Sequence, residues 1–124
     1  MDRRVILYVD DEPINLKIFS LAFEKKYKVE VADSGIAGLK KLDHLPEISI
    51  VISDMKMPGM NGIEFIKAAR SNYPDHFYFI LTGFDITSEI SMALQEGLIN
   101  SYFRKPFNLN EIEAAIRQSI KPDN

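Results

Sequence analysis

Apolar and polar positions follow two different periods along this chain. Five short apolar runs are separated by longer stretches in which apolar residues recur three or four positions apart. The short runs predict β-strands at residues 5–9, 28–32, 48–53, 77–81 and 101–104. The third and fourth runs are almost wholly apolar, which is typical of strands buried on both faces, whereas the second alternates and is predicted to be an edge strand.

The stretches between the strands carry signals for helix starts. Asp11-Glu12-Pro13 predicts the start of the first helix, with an acidic N-cap and a proline in the first turn, and Ser34 is the predicted N-cap of the second. Two later pairs have the spacing of a capping box: Asn61 with Glu64, and Asn108 with Glu111. The chain therefore alternates strand and helix five times.

The last two helices complete the pattern. Gly97 is the predicted C-cap of the fourth helix, near residues 89–96. The fifth helix has one apolar stripe, with its charges on the opposite side, made of Leu109, Ile112, Ile116 and Ile120. Five strand–helix units predict an α/β fold in which helices cover both faces of a parallel sheet. We expect residues 1–124 to form a single domain, with residues 121–124 as a tail or the start of a linker.

Composition narrows the classes of function. The chain has 124 residues, of which 46% are hydrophobic and 27% charged, and it has no cysteine, which excludes disulfide scaffolds and thiolate sites. A net charge of −3 argues against direct nucleic-acid binding. No apolar run is long enough for a signal peptide or a membrane span, so we expect a cytoplasmic protein that does not bind membranes.

Ligands of open parallel sheets bind at the carboxyl ends of the strands. Three carboxylates, one hydroxyl and one ammonium group lie at those predicted ends: Asp10, Asp11, Asp54, Thr82 and Lys105. Taken singly, each has an ordinary structural explanation as a cap, a turn residue or a strand end. Carboxylates gathered at a buried edge repel one another, however, and need a cation. Oxygen ligands suit Mg²⁺, which proteins often hold with one or two carboxylates and a phosphate group.

Asp54 is the best candidate for accepting a phosphoryl group. It follows the predicted central strand, and a carboxylate is a competent nucleophile toward phosphorus. The sequence has no Gly-x-x-x-x-Gly-Lys-Ser/Thr loop for binding a nucleotide. We expect Asp10 and Asp11 to hold the metal, and Lys105 and Thr82 to bind the transferring oxygens.

These residues resemble the receiver domains of two-component response regulators, the CheY-like superfamily. The most specific segment is Asp54-Met55-Lys56-Met57-Pro58-Gly59-Met60-Asn61-Gly62, which fits the family's Asp-x-x-Met-Pro-x-Met-x-Gly loop at each defined position. The resemblance covers the whole chain and implies a doubly wound, flavodoxin-like (βα)5 fold with strand order 2-1-3-4-5. It also implies a phosphorylation-dependent signalling switch and no enzyme, either standing alone or as the N-terminal part of a longer response regulator.

The resemblance implies a role for each site residue. Asp54 would take a phosphoryl group from a histidine kinase or phosphotransfer domain, and the chain would catalyse only its own phosphorylation and dephosphorylation. The Mg²⁺ ligands would be Asp10, Asp11, Asp54 and the backbone carbonyl of Lys56. Thr82 would move toward the phosphoryl group, and Tyr102 would rotate inward, unless it is simply a half-buried strand aromatic. A cis peptide is expected at Lys105–Pro106, and the readout is expected on the surface of the fourth helix, fifth strand and fifth helix.

Two residues beside the expected site bear on the lifetime of the phosphorylated state. Lys56 is two residues after Asp54, and Phe84 is two residues after Thr82. Neither side chain can accept a proton from an attacking water, so we expect slow self-dephosphorylation, unless both side chains point to bulk water. Phosphoprotein that decays no faster in Phe84→Glu or Lys56→Asn than in the parent would contradict this expectation.

The first helix is apolar over more of its surface than a helix needs for packing on a sheet. Some of the excess is expected to be exposed, and in the family this helix binds the kinase's phosphotransfer domain. The candidate contacts are Ile14, Asn15, Ile18, Pro106 and Phe107. The alternative is that the helix is simply well buried.

Two other functions stay open at this stage. A Mg²⁺-dependent phosphatase or phosphotransferase could also use an aspartyl phosphate, but such enzymes have a second Asp where this chain has Lys56. A receiver-like domain that binds partners without phosphorylation is disfavoured by the full acidic set and Lys105. The sequence leaves the effector, the cognate kinase and homodimer formation undetermined.

Overall fold

The fold is described from a computed structural model, for residues 4–83 and 86–120. Strands and helices alternate in the order β1 (Val5–Val9), α1 (Pro13–Phe23), β2 (Lys28–Ala32), α2 (Gly35–His44), β3 (Ile48–Asp54), α3 (Gly62–Asn72), β4 (Phe77–Thr82), α4 (Ser88–Gln95), β5 (Ser101–Arg104) and α5 (Leu109–Ile120). In these described residues, five parallel strands form one sheet in the order β2-β1-β3-β4-β5. The predicted doubly wound topology is confirmed.

The pleat of the strands divides the core into two layers, one on each face of the sheet. In β1, Ile6 and Tyr8 pack with α1 and α5, whereas Leu7 and Val9 pack with α2, α3 and α4. Both sets are buried because successive side chains of a strand point to opposite faces, and both faces are covered by helices. This double coverage leaves the carboxyl ends of the strands as the open edge of the domain.

The predicted strands lie within one residue of the observed ones. The third and fourth strands are each one residue longer than predicted, so that Asp54 and Thr82 are the last residues of β3 and β4. The alternating strand β2 lies at the edge of the sheet, as predicted. The fourth helix begins at Ser88 and ends at Gln95, one residue earlier than predicted at each end.

Most of the predicted helix caps are confirmed. The Ser34 side chain accepts a hydrogen bond from the Ala37 N–H at 3.0 Å, and Asn61 and Glu64 form the reciprocal bonds of a capping box. Asn108 accepts from the Glu111 N–H at 3.0 Å. Gly97 follows α4 with a φ of +77°, which a glycine adopts without strain.

Two predictions about helix ends and faces are wrong. The Glu12 side chain caps nothing at the start of α1; its backbone N–H donates instead to Asp10 Oδ1 at 3.0 Å. Pro13 is in the first turn of α1, as predicted. In α5, Glu113 does not face solvent but is buried, where it pairs with Lys26 Nζ at 3.2 Å.

In the described part of the chain, no helix is long and apolar enough to cross a bilayer.

Candidate functional site

The topology brings the residues predicted to bind a metal or a phosphoryl group to one edge of the sheet. Asp10 directly follows β1, Asp54 and Thr82 end the neighbouring strands β3 and β4, and Lys105 directly follows β5. The strands run parallel, so their carboxyl ends meet at the same edge. The Lys105 N–H donates to the Thr82 carbonyl at 2.7 Å, which ties the start of the β5–α5 loop to the end of β4.

Three carboxylates converge at this edge. One oxygen each from Asp10, Asp11 and Asp54 lies within 4.8 Å of the other two. Asp10 is fully buried, Asp54 is 7% exposed and Asp11 is half-buried. Lys105 Nζ lies 2.8 Å from Asp54 Oδ1 and 3.3 Å from Asp10 Oδ2, so one ammonium group pairs with two of the three acids. This donor set of hard oxygens fits a small divalent cation such as Mg²⁺.

The pKa of Asp54 reflects this arrangement. Burial raises the pKa of its carboxyl group, the hydrogen bond and charge of Lys105 act to lower it, and Asp10 and Asp11 raise it further; the net shift is upward. Burial acts to lower the pKa of Lys105, but its hydrogen bond to Asp54 and the charges of Asp54 and Asp10 leave that pKa raised. The acid cluster therefore carries more negative charge than one lysine offsets.

Asp54→Asn is expected to stabilise the metal-free domain at neutral pH, by about 1 kcal/mol, the usual size of a single-residue effect. A carboxyl group whose folded pKa is raised binds more protons in the folded state, so stability falls as pH rises above the ordinary value of 3.8. The asparagine avoids this loss, and its advantage should vanish below about that pH. Denaturant unfolding in EDTA across pH measures it, with the exposed Asp75→Asn as control. A variant less stable than the parent at neutral pH would contradict the expectation.

Two further predicted site residues lie on β4 and β5. Thr82 is buried at the end of β4, beside β5. Tyr102 is half-buried in β5, opposite Ile80, and packs against the core layer of α2, α3 and α4. The Lys105–Pro106 peptide is cis, as expected. Phe84 lies outside the described residues.

Comparison with known proteins identifies the family. The response regulator receiver domain family matches residues 6–117, which is most of the chain. The chain is a response regulator receiver domain. Among solved structures, it is similar to a receiver domain protein from Clostridium thermocellum, with a TM-score of 0.86, 30% identity, and coverage of 94% of this chain and 93% of that one. The Vibrio cholerae chemotaxis protein CheY4 has a TM-score of 0.86 at 27% identity, over 96% of this chain and 100% of that one.

Curated relatives of the receiver domain are longer proteins. The transcriptional regulatory protein GlrR of Escherichia coli is 30% identical over 94% of this chain but only 26% of its own length. The response regulator MprA of Mycobacterium leprae is 32% identical over 98% of this chain and 54% of its own length. The receiver domain thus spans about a quarter to a half of these relatives.

The loop after β3 supports Asp54 through backbone contacts. The Met55 N–H donates to the Leu81 carbonyl at 3.0 Å, and the Met55 carbonyl accepts from the Gly62 N–H at 2.8 Å. Gly62 is buried against the Asp54 backbone, and a side chain at this position would overlap the Asp54 carbonyl oxygen. Gly59 has a φ of +79°, in the left-handed region that favours glycine. The family loop therefore has glycine at position 62 for reasons of space.

The first helix of the receiver domain exposes apolar side chains, as expected. Ile14 is 62% exposed and Ile18 49% exposed, while Phe19 and Phe23 of the same helix are buried. The alternative that the helix is simply well buried is wrong. Beside it, a cavity of about 480 Å³ leads toward the acidic cluster, and its lining includes Asn15, Ile18, Lys105, Pro106 and Phe107.

Sequence reasoning missed one residue at the site. Tyr8 is buried in β1, and its hydroxyl donates to Asp10 Oδ2 at 2.6 Å. Burial, followed by the hydrogen bond and charge of Asp10, raises the pKa of the phenol above its ordinary value, so it stays a donor at neutral pH. The signal was the strand period, because residues 8 and 10 of an extended chain lie on the same side.

Proposed function

We propose that this receiver domain accepts a phosphoryl group on Asp54 from the phosphohistidine of a histidine kinase or phosphotransfer domain, in a Mg²⁺-dependent reaction. The observation that carries the proposal is the Asp54 carboxylate, which is one of three converging acids and lies 2.8 Å from Lys105 Nζ. The reaction is proposed to take place in the cytoplasm, where ATP supplies the kinase.

The chain's own residues have defined roles in this reaction. An Asp54 oxygen attacks phosphorus, the bond from phosphorus to the histidine nitrogen breaks, and its electron pair stays on that nitrogen. The donor ring, protonated on its other nitrogen, leaves as neutral imidazole. Lys105 and Thr82 bind the transferred oxygens. The metal would be held by Asp10, Asp11, Asp54 and the backbone carbonyl of Lys56. Bound Mg²⁺ would neutralise charge on the phosphoryl oxygens. The domain catalyses only its own phosphorylation and dephosphorylation.

Phosphorylation is proposed to act by shifting a conformational equilibrium. The acyl phosphate adds charge that is satisfied only when Thr82 and Lys105 turn toward it, with Tyr102 rotating inward, and the altered surface is that of α4, β5 and α5. Relatives named as transcriptional regulators and as a sensor kinase both contain a matching segment. The output is therefore proposed only as a change in binding to an effector domain or protein, which includes a second copy of the domain.

The direct test is incorporation of a phosphoryl group from acetyl phosphate, measured by intact mass. We expect one phosphoryl group per chain in the presence of Mg²⁺, and none in EDTA or in Asp54→Asn. The exposed Asp75, at the opposite edge of the sheet, supplies the control, and Asp75→Asn should be phosphorylated normally. Full incorporation in Asp54→Asn would overturn the proposal.

Slow loss of the phosphoryl group is part of the proposal. The Lys56 side chain is exposed in the loop that follows Asp54, and an ammonium group cannot accept a proton from water. The exposure means that Lys56 shields the site only if it bends back over Asp54. The decay rate of labelled Lys56→Asn protein tests this contribution separately.

The kinase is proposed to dock on α1 and the loop after β5. The exposed Ile18 lines a cavity that is also lined by Lys105, Pro106 and Phe107. The exposed Ile14 lies one turn earlier on α1. A helix of the donor lying here would bring its phosphohistidine to the acidic edge. Asn15 belongs to the same surface, although its amide also donates to Asp10.

Ile14→Lys is expected to slow phosphorylation by a donor histidine kinase or phosphotransfer domain by roughly tenfold or more, the effect of losing an apolar contact at an interface hot spot. Ile36→Lys is the matched control, since Ile36 is similarly exposed, at 55%, but lies on α2. Both variants should take phosphoryl from acetyl phosphate at the parent rate. Equal rates with the protein donor for both variants would argue against docking at Ile14.

A further inference from the structure

The Asp10 carboxylate is held by four protein donors. Its Oδ1 accepts from the Glu12 backbone N–H at 3.0 Å. Its Oδ2 accepts from the Tyr8 hydroxyl at 2.6 Å, the Asn15 amide at 3.2 Å and Lys105 Nζ at 3.3 Å. Asp10 is fully buried, so these groups replace the water that would otherwise solvate its charge.

The donors on Oδ2 differ in whether they also bond to another group. Lys105 is shared with Asp54, which it contacts at the shorter distance of 2.8 Å. In the proposed reaction Lys105 turns to the phosphoryl group and leaves Asp10. Tyr8 and Asn15 are uncharged and are not among the groups proposed to bind the phosphoryl oxygens, so they are the side chains that keep Oδ2 bonded throughout.

Packing fixes the position of the Tyr8 hydroxyl. The Tyr8 ring is buried in the layer beneath α1 and stacks on Phe19, with ring centroids 4.2 Å apart. A fully buried ring that stacks on another ring has little freedom to move, so its hydroxyl is presented to Asp10 at a constant place. Asn15 lies one turn earlier on the same helix as Phe19 and reaches Asp10 from α1.

We propose that Tyr8 and Asn15 are positioning residues that hold the Asp10 carboxylate in the orientation that binds the divalent cation. The inference rests on the proposed function, in which Asp10 is a metal ligand. Three neighbouring carboxylates repel one another, and without fixed donors Asp10 would turn away from Asp11 and Asp54. Hydrogen bonds to metal-ligating carboxylates typically change metal affinity by roughly 10- to 100-fold when they are removed.

The test compares Mg²⁺ affinity by isothermal titration calorimetry. Tyr8→Phe keeps the stacked ring and removes only the hydroxyl, and it should weaken Mg²⁺ binding by roughly 10- to 100-fold. Asn15→Ala should weaken binding in the same direction. The matched control is Tyr78→Phe, which removes the hydroxyl of a second buried tyrosine. This hydroxyl donates to the Tyr73 carbonyl, at a distance of 2.7 Å, and does not contact the acidic cluster. The Mg²⁺ affinity of this variant should equal that of the parent.

Two further readouts separate a positioning role from a merely structural one. The rate of phosphorylation by acetyl phosphate should recover in Tyr8→Phe at saturating Mg²⁺, because the defect lies in metal affinity. A structural role would instead lower the melting temperature in EDTA and leave the dissociation constant for Mg²⁺ unchanged. Circular dichroism reports whether Tyr8→Phe folds, and if it does not, Asn15→Ala carries the same test.

The outcomes distinguish this inference from the proposed function. If the parent binds no Mg²⁺ and takes up no phosphoryl group, the proposed function fails. If the parent binds Mg²⁺, and the folded Tyr8 and Asn15 variants bind it within twofold of the parent, the positioning role is overturned and the proposed function stands. Weakened binding in the Tyr78 variant as well would also overturn it, since the effect would then not be specific to Asp10.

Discussion

Lys105→Met is expected to slow phosphorylation of Asp54 by acetyl phosphate by roughly 100- to 1000-fold, the usual effect of losing one preorganised donor to a developing oxyanion. Methionine has similar length but no charge, so the substitution removes the ammonium group that lies 2.8 Å from Asp54 Oδ1 and 3.3 Å from Asp10 Oδ2. Without it, the incoming phosphoryl group meets an acidic edge whose negative charge only the metal offsets. Initial rates at saturating Mg²⁺ measure the effect.

Two variants make this prediction specific. Lys105→Arg keeps the charge on a bulkier, planar group and should recover only part of the rate. Lys41→Met breaks a different ion pair, between Lys41 and Glu30 at 3.0 Å, away from the site, and should leave the rate unchanged. A Lys105→Met rate within twofold of the parent would show that this lysine does not contribute to transfer.

Gly62→Ala is expected to destabilise the domain by roughly 1–3 kcal/mol, the usual range for overpacking a filled core. The added methyl group would overlap the Asp54 carbonyl oxygen and lie 2.8 Å from Ile80 Cδ1. Alanine is the better helix former by about 1 kcal/mol, which favours the variant, but the overlap is with backbone and cannot be relieved by rotating a side chain. The steric effect should therefore win.

The same substitution is expected to slow phosphorylation by roughly 100-fold, because a displacement of Asp54 of about 1 Å is enough to lose productive geometry. Chemical denaturation and acetyl phosphate kinetics measure the two effects. Gly35→Ala is the matched control: Gly35 is also the buried first residue of a helix, but the atoms nearest to its new methyl group all belong to the Met60 side chain, which can move, and not to backbone. If Gly62→Ala and Gly35→Ala change the free energy of unfolding and the phosphorylation rate equally, the close approach of Gly62 to Asp54 does not affect function.

The sequence predicted the strands so well because their signals are local. Buried parallel strands are continuous apolar runs, and the edge strand β2 alternates, so the burial of each strand could be inferred from its own residues. Helix starts at Ser34 and Asn61 depend on hydrogen bonds within three residues, which spacing alone reveals. At Glu12 the local pattern was misleading: the side chain makes no capping hydrogen bond, and the backbone N–H donates to Asp10, only two residues earlier.

The acidic cluster was predictable for a topological reason. Parallel strands present their carboxyl ends at one edge, so Asp10, Asp54 and Lys105 were expected at the same edge once the strands were identified. The cis peptide at Lys105–Pro106 was expected from the family resemblance, because a cis bond is plausible only before proline, and it is confirmed. By contrast, the positions of Thr82 and Tyr102 are seen in one state, and their movement stays a prediction.

By itself, the sequence determined the fold class, the order of elements and the residues gathered at the acidic edge, because periodicity, caps and strand ends are encoded by neighbours along the chain. Only the tertiary structure decided which side chains complete that edge. The bond from Tyr8 to Asp10, the burial of Glu113 and the space taken up at Gly62 all depend on distances that packing sets. Such distances arise when sequence-distant elements come together, and no local pattern records them.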